Sequence, residues 1–310
     1  MAEQIVTSTP DHPAGAARHT LWLAVLLAGF MTLSIVYNVT LPVFEAPDEG
    51  DHFHYADFLA TERRLPDLVQ DLKLSHEIIQ PPLYYILIAG VIEPFDRSNL
   101  DALSQLNPDW FDPTVNADHR SVANQYTHSP AENFPYQGAA LAIHVARFIS
   151  TLLGALTVWL VYLIARDLLR VARREDAWRT WPLLAAALVA LNPKFIHVSS
   201  IVSNDIAITF ASTLVCYCIV KRQSPVSFLL LGALIGVATL CKVTGLGLLT
   251  PVAVLIVLWL IQRRMRISEA LLMAAATGIG LLLVAGPWLF YNQVHYGNPL
   301  AWAQVQAANS

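Results

Sequence analysis

The charged side chains of the sequence occupy two different settings. Carboxylates and histidines cluster in a polar stretch at residues 45–57, whereas three cations, Arg147, Lys194 and Lys242, lie in or beside apolar runs. A carboxylate can accept a proton from a reacting hydroxyl. A cation can offset negative charge that develops on a leaving group. Because a charge at membrane depth is costly unless it is paired or hydrated, the position of these three cations decides their role.

The composition indicates a membrane protein. Hydrophobic residues make up 55% of the 310-residue chain and charged residues only 14%, whereas soluble domains carry about a quarter charged residues. The formal net charge of -4 argues against a basic nucleic-acid-binding protein. Cys216, Cys218 and Cys241 all lie in apolar runs and predict neither a disulfide framework nor a zinc site.

Long apolar runs predict an all-α polytopic membrane protein. A bilayer core of about 30 Å requires roughly 20 helical residues. About seven stretches meet this requirement: 21–41, 139–165, 181–201, 203–220, 226–243, 246–262 and 269–291. The first stretch is expected to be an uncleaved anchor, because no convincing cleavage site follows it. The other six are expected to form a bundle over residues 139–291.

Basic residues between the spans predict the orientation in the cell membrane. They cluster in three links on one side: Arg166, Arg170, Arg173, Arg174, Arg179, Lys221, Arg222, Arg263, Arg264 and Arg266. We assign that side, with residues 1–20, to the cytoplasm, and residues 42–138 and 292–310 to the outside. This topology is the reverse of that of seven-helix receptors, and we find no internal repeat of the kind that many transporters have.

The large external loop, residues 42–138, divides into three parts. Residues 45–59 contain Pro47, Asp48 and Glu49, which suit the N-terminus of a helix at the membrane interface. The apolar run from Leu83 to Phe95 is too short to span a bilayer and predicts a second helix on or in the outer leaflet. Residues 96–135 are rich in Asn, Asp, Pro and Ser and predict a loop.

Motifs in this loop resemble the first external loop of GT-C membrane glycosyltransferases. They are Pro47-Asp48-Glu49 with His52-Phe53, and Gln80-Pro81-Pro82-Leu83-Tyr84-Tyr85. Further motifs follow in the order found in this group, which includes the dolichyl-phosphate-mannose protein mannosyltransferases and their bacterial relatives of glycosyltransferase family 39. They are His128, Glu132, Phe134-Pro135, Gly138, His144, Arg147, Ser203-Asn204-Asp205, Lys242-Val243-Thr244-Gly245-Leu246, Tyr291-Asn292 and Tyr296-Gly297-Asn298-Pro299.

The sequence departs from this group in two respects. Many relatives have Arg where this chain has Tyr291. Members of the group also continue with several more spans, whereas this chain stops soon after the seventh predicted span, so a fragment, a truncated product or a natural short form is expected.

The resemblance implies transfer of a sugar from a polyprenyl-phosphate donor to a hydroxyl of a lipid, glycan or protein outside the membrane. The implied reaction is a single displacement with inversion, in which Asp48 is the base and Glu49 its neighbour. Arg147, Lys194 and Lys242 share the depth of the outer leaflet and are expected to bind the donor phosphate. Seven further motif residues and Glu77 are expected to bind substrate: His52, Glu77, Gln80, His128, Glu132, His144, Asn204 and Asp205.

Other interpretations of these residues stay open at this level. Asp48 and Glu49 could only favour a helix N-terminus, and Asn204-Asp205 could cap a helix. The three cations could be interface residues or ion-pair partners of Asp205 and Glu132. A divalent cation is possible, although no cofactor is certain, because metal-capable side chains lie in the loop: Asp48, Asp51, His52, His54, His76 and Glu77.

Two alternative functions also stay open. A non-catalytic subunit that binds or assembles lipid-linked glycans would use the cations but not Asp48. A transporter of an anionic solute would need polar residues through the full membrane depth, whereas the inner halves of the predicted spans are almost wholly apolar.

Overall fold

The computed structural model describes residues 13–71, 74–110, 124–172, 180–221 and 225–308. Within these ranges the regular elements are helices, and Leu106 and Tyr126 form an isolated β-bridge. The predicted all-α polytopic membrane class is therefore confirmed. Arg173, Arg174, Arg179 and Arg222 of the basic links, and residues 111–123 of the predicted loop, lie outside the described residues.

The helices are numbered here in chain order. Helix α1 (Pro13–Thr40) is followed by α2 (Glu49–Glu62), α3 (Leu83–Ile92) and α4 (Leu100–Leu103). The bundle contains α5 (Gly138–Val171), α6 (Trp181–Ala190), α7 (Pro193–Val198), α8 (Asn204–Lys221), α9 (Pro225–Cys241), α10 (Leu249–Ile261) and α11 (Ile267–Tyr296). Helix α12 (Trp302–Ala308) follows, and single 3-10 turns lie at His76–Ile79, Pro108–Trp110, Pro130–Glu132 and Val243–Leu248.

Five helical segments of the described chain are long and apolar enough to cross a membrane. They are His19–Thr40, Gly138–Val171, Asn204–Lys221, Val243–Ile261 and Ile267–Tyr296. The predicted count of seven is not confirmed, because two predicted spans correspond to shorter helices. The predicted span 226–243 corresponds to α9, which has 17 residues.

The other shortened span, 181–201, is broken at Asn192-Pro193 into α6 and α7. Proline has no N–H and disfavours a helical conformation in the residue before it. The Asn192 side chain then begins a new helix, because its oxygen accepts hydrogen bonds from the backbone N–H groups of Lys194 and Phe195 at 2.9 and 3.2 Å. Lys194 therefore lies in the first turn of the short helix α7, and not inside a continuous span.

The segment between α1 and α5 folds against the bundle. Helices α2 and α3 form one buried core with the N-terminal end of α5, and its largest members are aromatic. They are Phe44, Phe53, Tyr55, Tyr84 and Tyr85, each at most 2% exposed. The predicted interfacial helices thus pack into a cap that holds the residues around Asp48 in place.

Helices α9 and α11 approach each other most closely at two glycines. A Cβ atom built on Gly232 would lie 2.0 Å from the carbonyl oxygen of Thr277, and one built on Gly280 would lie 2.1 Å from that of Leu229. Both neighbours are backbone atoms, which cannot rotate away as a side chain can. Any larger residue at either position must therefore push the two helices apart.

We predict that Gly280→Ala destabilises the protein by roughly 1–3 kcal/mol, the usual cost of overpacking. Gly278→Ala on the same helix is the matched control, because its Cβ would meet no atom within 4 Å. The control should be neutral or slightly stabilising, since Ala favours helices. Thermal unfolding of both variants in detergent measures the difference, and equal stabilities would contradict the proposed contact.

Candidate active site

A cavity of about 110 Å³ lies where α2, the 3-10 turn before α3, α7 and the first turn of α8 meet. Its wall contains six of the residues that the sequence analysis selected: Asp48, His52, Glu77, Lys194, Asp205 and Lys242. Pro47, His197, Val198, Ile201 and Ser203 complete the lining. Three carboxylates and two ammonium groups therefore share one small space.

Asp48 has a strained backbone and an available side chain. Its φ of 58° and ψ of 6° lie in the left-handed region, which costs a residue other than glycine roughly 1–2 kcal/mol. Its carboxylate is exposed and does not cap α2. Within the described residues it accepts no hydrogen bond, so it can meet a ligand in the cavity. Strain of this kind is often found at functional sites.

Glu49, the next residue, faces away from the cavity and into the protein. Its carboxylate and the guanidinium of Arg147 form an ion pair in which both side chains are 0% exposed. Nε and Nη2 of Arg147 donate to Glu49 at 2.8 and 2.6 Å. The remaining N–H groups donate to the carbonyl oxygens of Asn38, Leu41 and Pro42 at 2.8–3.0 Å.

This geometry differs from the expected role of Arg147 as a phosphate ligand. A guanidinium has five N–H donors, and all five are used within the protein. No donor is left for a phosphate, and neither Arg147 nor Glu49 lines the cavity. The pair instead holds the elements that carry Asp48.

Glu77, His52 and Tyr85 form a hydrogen-bonded group in the cavity wall. The Tyr85 hydroxyl lies 2.8 Å from His52 Nδ1 and donates to Glu77 Oε2 at 3.3 Å. Burial lowers the pKa of His52 to about 4, so the imidazole is neutral at pH 7. Burial, and next the charge of Asp48, raise the pKa of Glu77 to about 7. The 3.5 Å approach of His52 to Glu77 is therefore not an ion pair at neutral pH.

The two lysines of the cavity differ in their partners. Lys242 Nζ lies 2.5 Å from Asp205 Oδ1. Lys194 is exposed, and its ammonium makes no ion pair within the described part of the chain. An anion entering the cavity would therefore meet one free cation and one that a carboxylate already balances.

His197 is a cavity residue that the sequence analysis did not select. Its Nδ1 atom is buried and has no hydrogen-bond partner among the described residues. The sequence feature that could have identified His197 is its spacing from Lys194, because residues three apart share a helix face. His197 follows Lys194 by three positions on α7.

Five other selected residues lie outside the cavity. Gln80 lines a separate void of about 20 Å³ beside Tyr291 and Tyr296. The His144 ring stacks on Tyr136, and its Nδ1 lies 2.7 Å from Asn38 Oδ1. His128 and Glu132 form a pair in the external segment.

Asn204, the fifth of these residues, is buried and donates to the carbonyl oxygen of Cys241 at 3.3 Å. It thereby ties the start of α8 to the end of α9. The expected cap of α8 comes from the preceding residue, since Ser203 Oγ accepts from the Asp205 N–H at 3.2 Å. Metal ligation finds no support in the described ranges, where no three His, Cys, Asp or Glu side chains are grouped to hold an ion.

A comparison with protein families identifies the family of the chain. The family model for dolichyl-phosphate-mannose-protein mannosyltransferase matches residues 121–298. The chain belongs to this family. The match includes Lys194, Asp205 and Lys242 of the cavity wall, whereas Asp48, His52 and Glu77 precede it.

A comparison with solved structures shows a related fold. The structure of the S. cerevisiae protein O-mannosyltransferase Pmt1-Pmt2 complex bound to the sugar donor contains a chain that matches with a TM-score of 0.52 and 19% identity. The match covers 90% of the present chain and 34% of the yeast chain. The present chain thus spans about a third of the length of its relative. A search of curated protein sequences gives no match.

The raised pKa of Glu77 predicts a pH dependence of stability. The pKa rises from its ordinary value of 4.5 to about 7, so the folded state binds more protons than the unfolded state between these values. The contribution of Glu77 to stability must then fall as the pH rises from about 4.5 to about 7, by on the order of 3 kcal/mol, whereas the lowered pKa of His52 acts in the opposite direction. We therefore expect the stability of the wild-type protein minus that of Glu77→Gln to fall between pH 5 and pH 8, measured by unfolding in detergent.

Glu62→Gln is the matched control for this measurement, because Glu62 is exposed at the end of α2. Its stability should change between these two pH values as that of the wild-type protein does. A Glu77→Gln variant whose stability also changes with pH as in the wild-type protein would show that Glu77 is not the responsible group.

Proposed function

We propose that the protein transfers a sugar from a polyprenyl-phosphate donor to an acceptor hydroxyl on the external face of the cell membrane. The observation that carries this proposal is the cavity in which the free carboxylate of Asp48 lies with the ammonium groups of Lys194 and Lys242. Membership of the mannosyltransferase family supports glycosyl transfer. The yeast relative, by its description, was solved with its sugar donor bound.

A groove beside the cavity supports a lipid-linked donor. This groove of about 340 Å³ shares Lys194, Val198 and Asp205 with the cavity wall. Its lining continues over Phe195 and Ile208, and Ile208 lies on the same face of α8 as Asp205, one turn further along the helix. A polar end that joins an apolar wall fits an amphiphile with its phosphate near Lys194 and its chain along α8.

The reaction follows from this placement. The acceptor oxygen attacks the anomeric carbon, the bond from that carbon to the phosphate oxygen breaks, and polyprenyl phosphate leaves. Asp48 accepts the proton of the acceptor hydroxyl. Lys194 and Lys242 offset the charge that grows on the phosphate. One displacement inverts the anomeric configuration, so a product with retained configuration would contradict this mechanism.

The orientation of the chain is part of the proposal. Asp167 near the end of α5 pairs with Arg166 at 3.0 Å and with Lys221, at the end of α8, at 3.0 Å. The cavity lies at the opposite end of α8, beside Asp205. With 18 residues at 1.5 Å each, α8 separates the two ends by about 27 Å. Because basic residues favour the cytoplasm, we propose that the cavity and residues 42–138 are outside and the N-terminus is inside.

The first test concerns Asp48. We expect Asp48→Asn to lower kcat by roughly 100- to 10,000-fold, the usual contribution of a general base. The assay follows sugar release from a panel of labelled polyprenyl-phosphate sugars by the purified protein in lipid nanodiscs. Asp101→Asn, at an exposed position on α4, is the matched control and should keep wild-type turnover.

Two outcomes of this assay would count against Asp48 as the base. If the wild-type protein turns a donor over and Asp48→Asn does so equally well, another group takes the proton. If the wild-type protein binds donor without turnover, the non-catalytic glycan-binding subunit becomes the better interpretation.

The second test concerns the lysines. Because each is expected to contact the donor phosphate, Lys194→Ala and Lys242→Ala should each weaken donor binding by roughly 10- to 100-fold, as the loss of a charged hydrogen bond does. Lys221→Ala, at the opposite end of α8, is the control and should leave the donor affinity unchanged. Equal donor affinities in all three variants would exclude the proposed phosphate site.

A further inference from the structure

A histidine in the external segment lies between two carboxylates. His128 Nε2 lies 2.9 Å from Glu45 Oε1, and its Nδ1 lies 2.8 Å from Glu132 Oε2. The side chains of His128, Glu45 and Glu132 are 22%, 15% and 9% exposed. None of the three lines the cavity. We call this group the latch.

Both ring nitrogens of His128 are in hydrogen-bond contact with a carboxyl group. One imidazole ring thus links Glu45 to Glu132. Low exposure keeps solvent from screening these two interactions as strongly as it would at the surface.

The latch joins two segments that are about 80 residues apart in the chain. The Glu45 carboxylate also accepts from the backbone N–H groups of Gln125 and Tyr126 at 3.1 and 3.0 Å. The Tyr126 ring packs against Phe44 with a centroid distance of 5.7 Å. Residues 124–132 are thereby fastened to the turn that precedes Asp48.

This turn is strained at both ends. Phe44 and Asp48 have φ angles of 64° and 58°, and neither is a glycine. Such angles persist only where neighbouring structure holds them. Arg147 binds the carbonyl oxygens of Leu41 and Pro42 on the membrane side of the turn. On the other side of the turn, His128 contacts Glu45, which lies between the two strained residues in the chain.

We propose that His128 is a positioning residue, which links Glu45 to Glu132 and so keeps the strained turn that directs Asp48 into the cavity. This inference rests on the proposed transferase function. Because the latch contacts neither Lys194 nor Lys242, it acts on the placement of the base and not on the binding of the donor phosphate.

The test compares His128→Gln with Asp57→Asn. The control breaks the partly buried Asp57–Arg97 ion pair, which lies in the same cap. His128→Gln should lower kcat by roughly 10- to 100-fold, as a small misplacement of a reacting group does. Its donor KM should stay within about twofold of the wild-type value, because phosphate binding is unchanged. Asp57→Asn should leave both constants within about twofold.

Hydrogen exchange gives a readout that does not need activity. The amides of Gln125 and Tyr126 donate to Glu45, so they should exchange faster in His128→Gln than in the wild-type protein and in Asp57→Asn. Glu132→Gln, which keeps the volume of the side chain, is a second variant in case His128→Gln does not fold. It should likewise lower kcat and should speed exchange at Val43, whose N–H faces Glu132.

Each outcome decides the inference. Faster exchange with lower kcat supports it. A lower kcat with unchanged exchange, or faster exchange with unchanged kcat, overturns it. If the wild-type protein transfers no sugar, the proposed function fails, and the exchange data alone then show whether His128 fastens the turn.

Discussion

The arrangement of the candidate site depends on the buried ion pair between Glu49 and Arg147. Taking two charges out of water is costly, and removing one partner of such a pair usually costs about 3–5 kcal/mol, because the other charge is then left alone. Other groups of the protein form hydrogen bonds with the remaining N–H donors of Arg147 and with a carboxylate oxygen of Glu49. Arg147 donates to carbonyl oxygens at the end of α1, and Glu49 Oε1 also accepts from the Val202 N–H at 2.9 Å. One pair thus fixes α1, α2, α5 and the turn before α8 relative to one another.

The same pair explains why two adjacent acids have different environments. Glu49 is the first residue of α2 and points inwards to Arg147, whereas Asp48 precedes the helix in a left-handed conformation and faces the cavity. A free chain would not keep this backbone at Asp48, because the conformation is unfavourable for a residue with a Cβ. Two sets of interactions stabilise this backbone conformation: the buried ion pair on one side and the hydrogen bonds of Glu45 on the other. The exposed carboxylate is therefore placed by residues that do not line the cavity.

The sequence predicted properties that depend on local composition. The helical class, the start of α2 near Asp48 and six of the cavity residues all follow from apolar runs, acids before a helix and short motifs. The break at Asn192-Pro193 was visible in the sequence, but the apolar content around it favoured a continuous span. The role of Arg147 could not be predicted, because its partner Glu49 lies 98 residues away in the chain and only the folded structure brings the two together. The same holds for His128 and Glu45, which are 83 residues apart.

The charges of the cavity must be balanced before an anionic donor can enter. Lys242 is paired with Asp205, which leaves Lys194, Asp48 and Glu77. If Glu77 were ionised as well, two free carboxylates would face one free ammonium group, and a phosphate would add a further negative charge to a space of about 110 Å³. Burial and the charge of Asp48 raise the pKa of Glu77 to about 7, so a large share of its carboxyl groups is protonated near neutral pH. The neutral form of Glu77 thus allows the side chain of Asp48 and the phosphate of the proposed donor to occupy the same cavity.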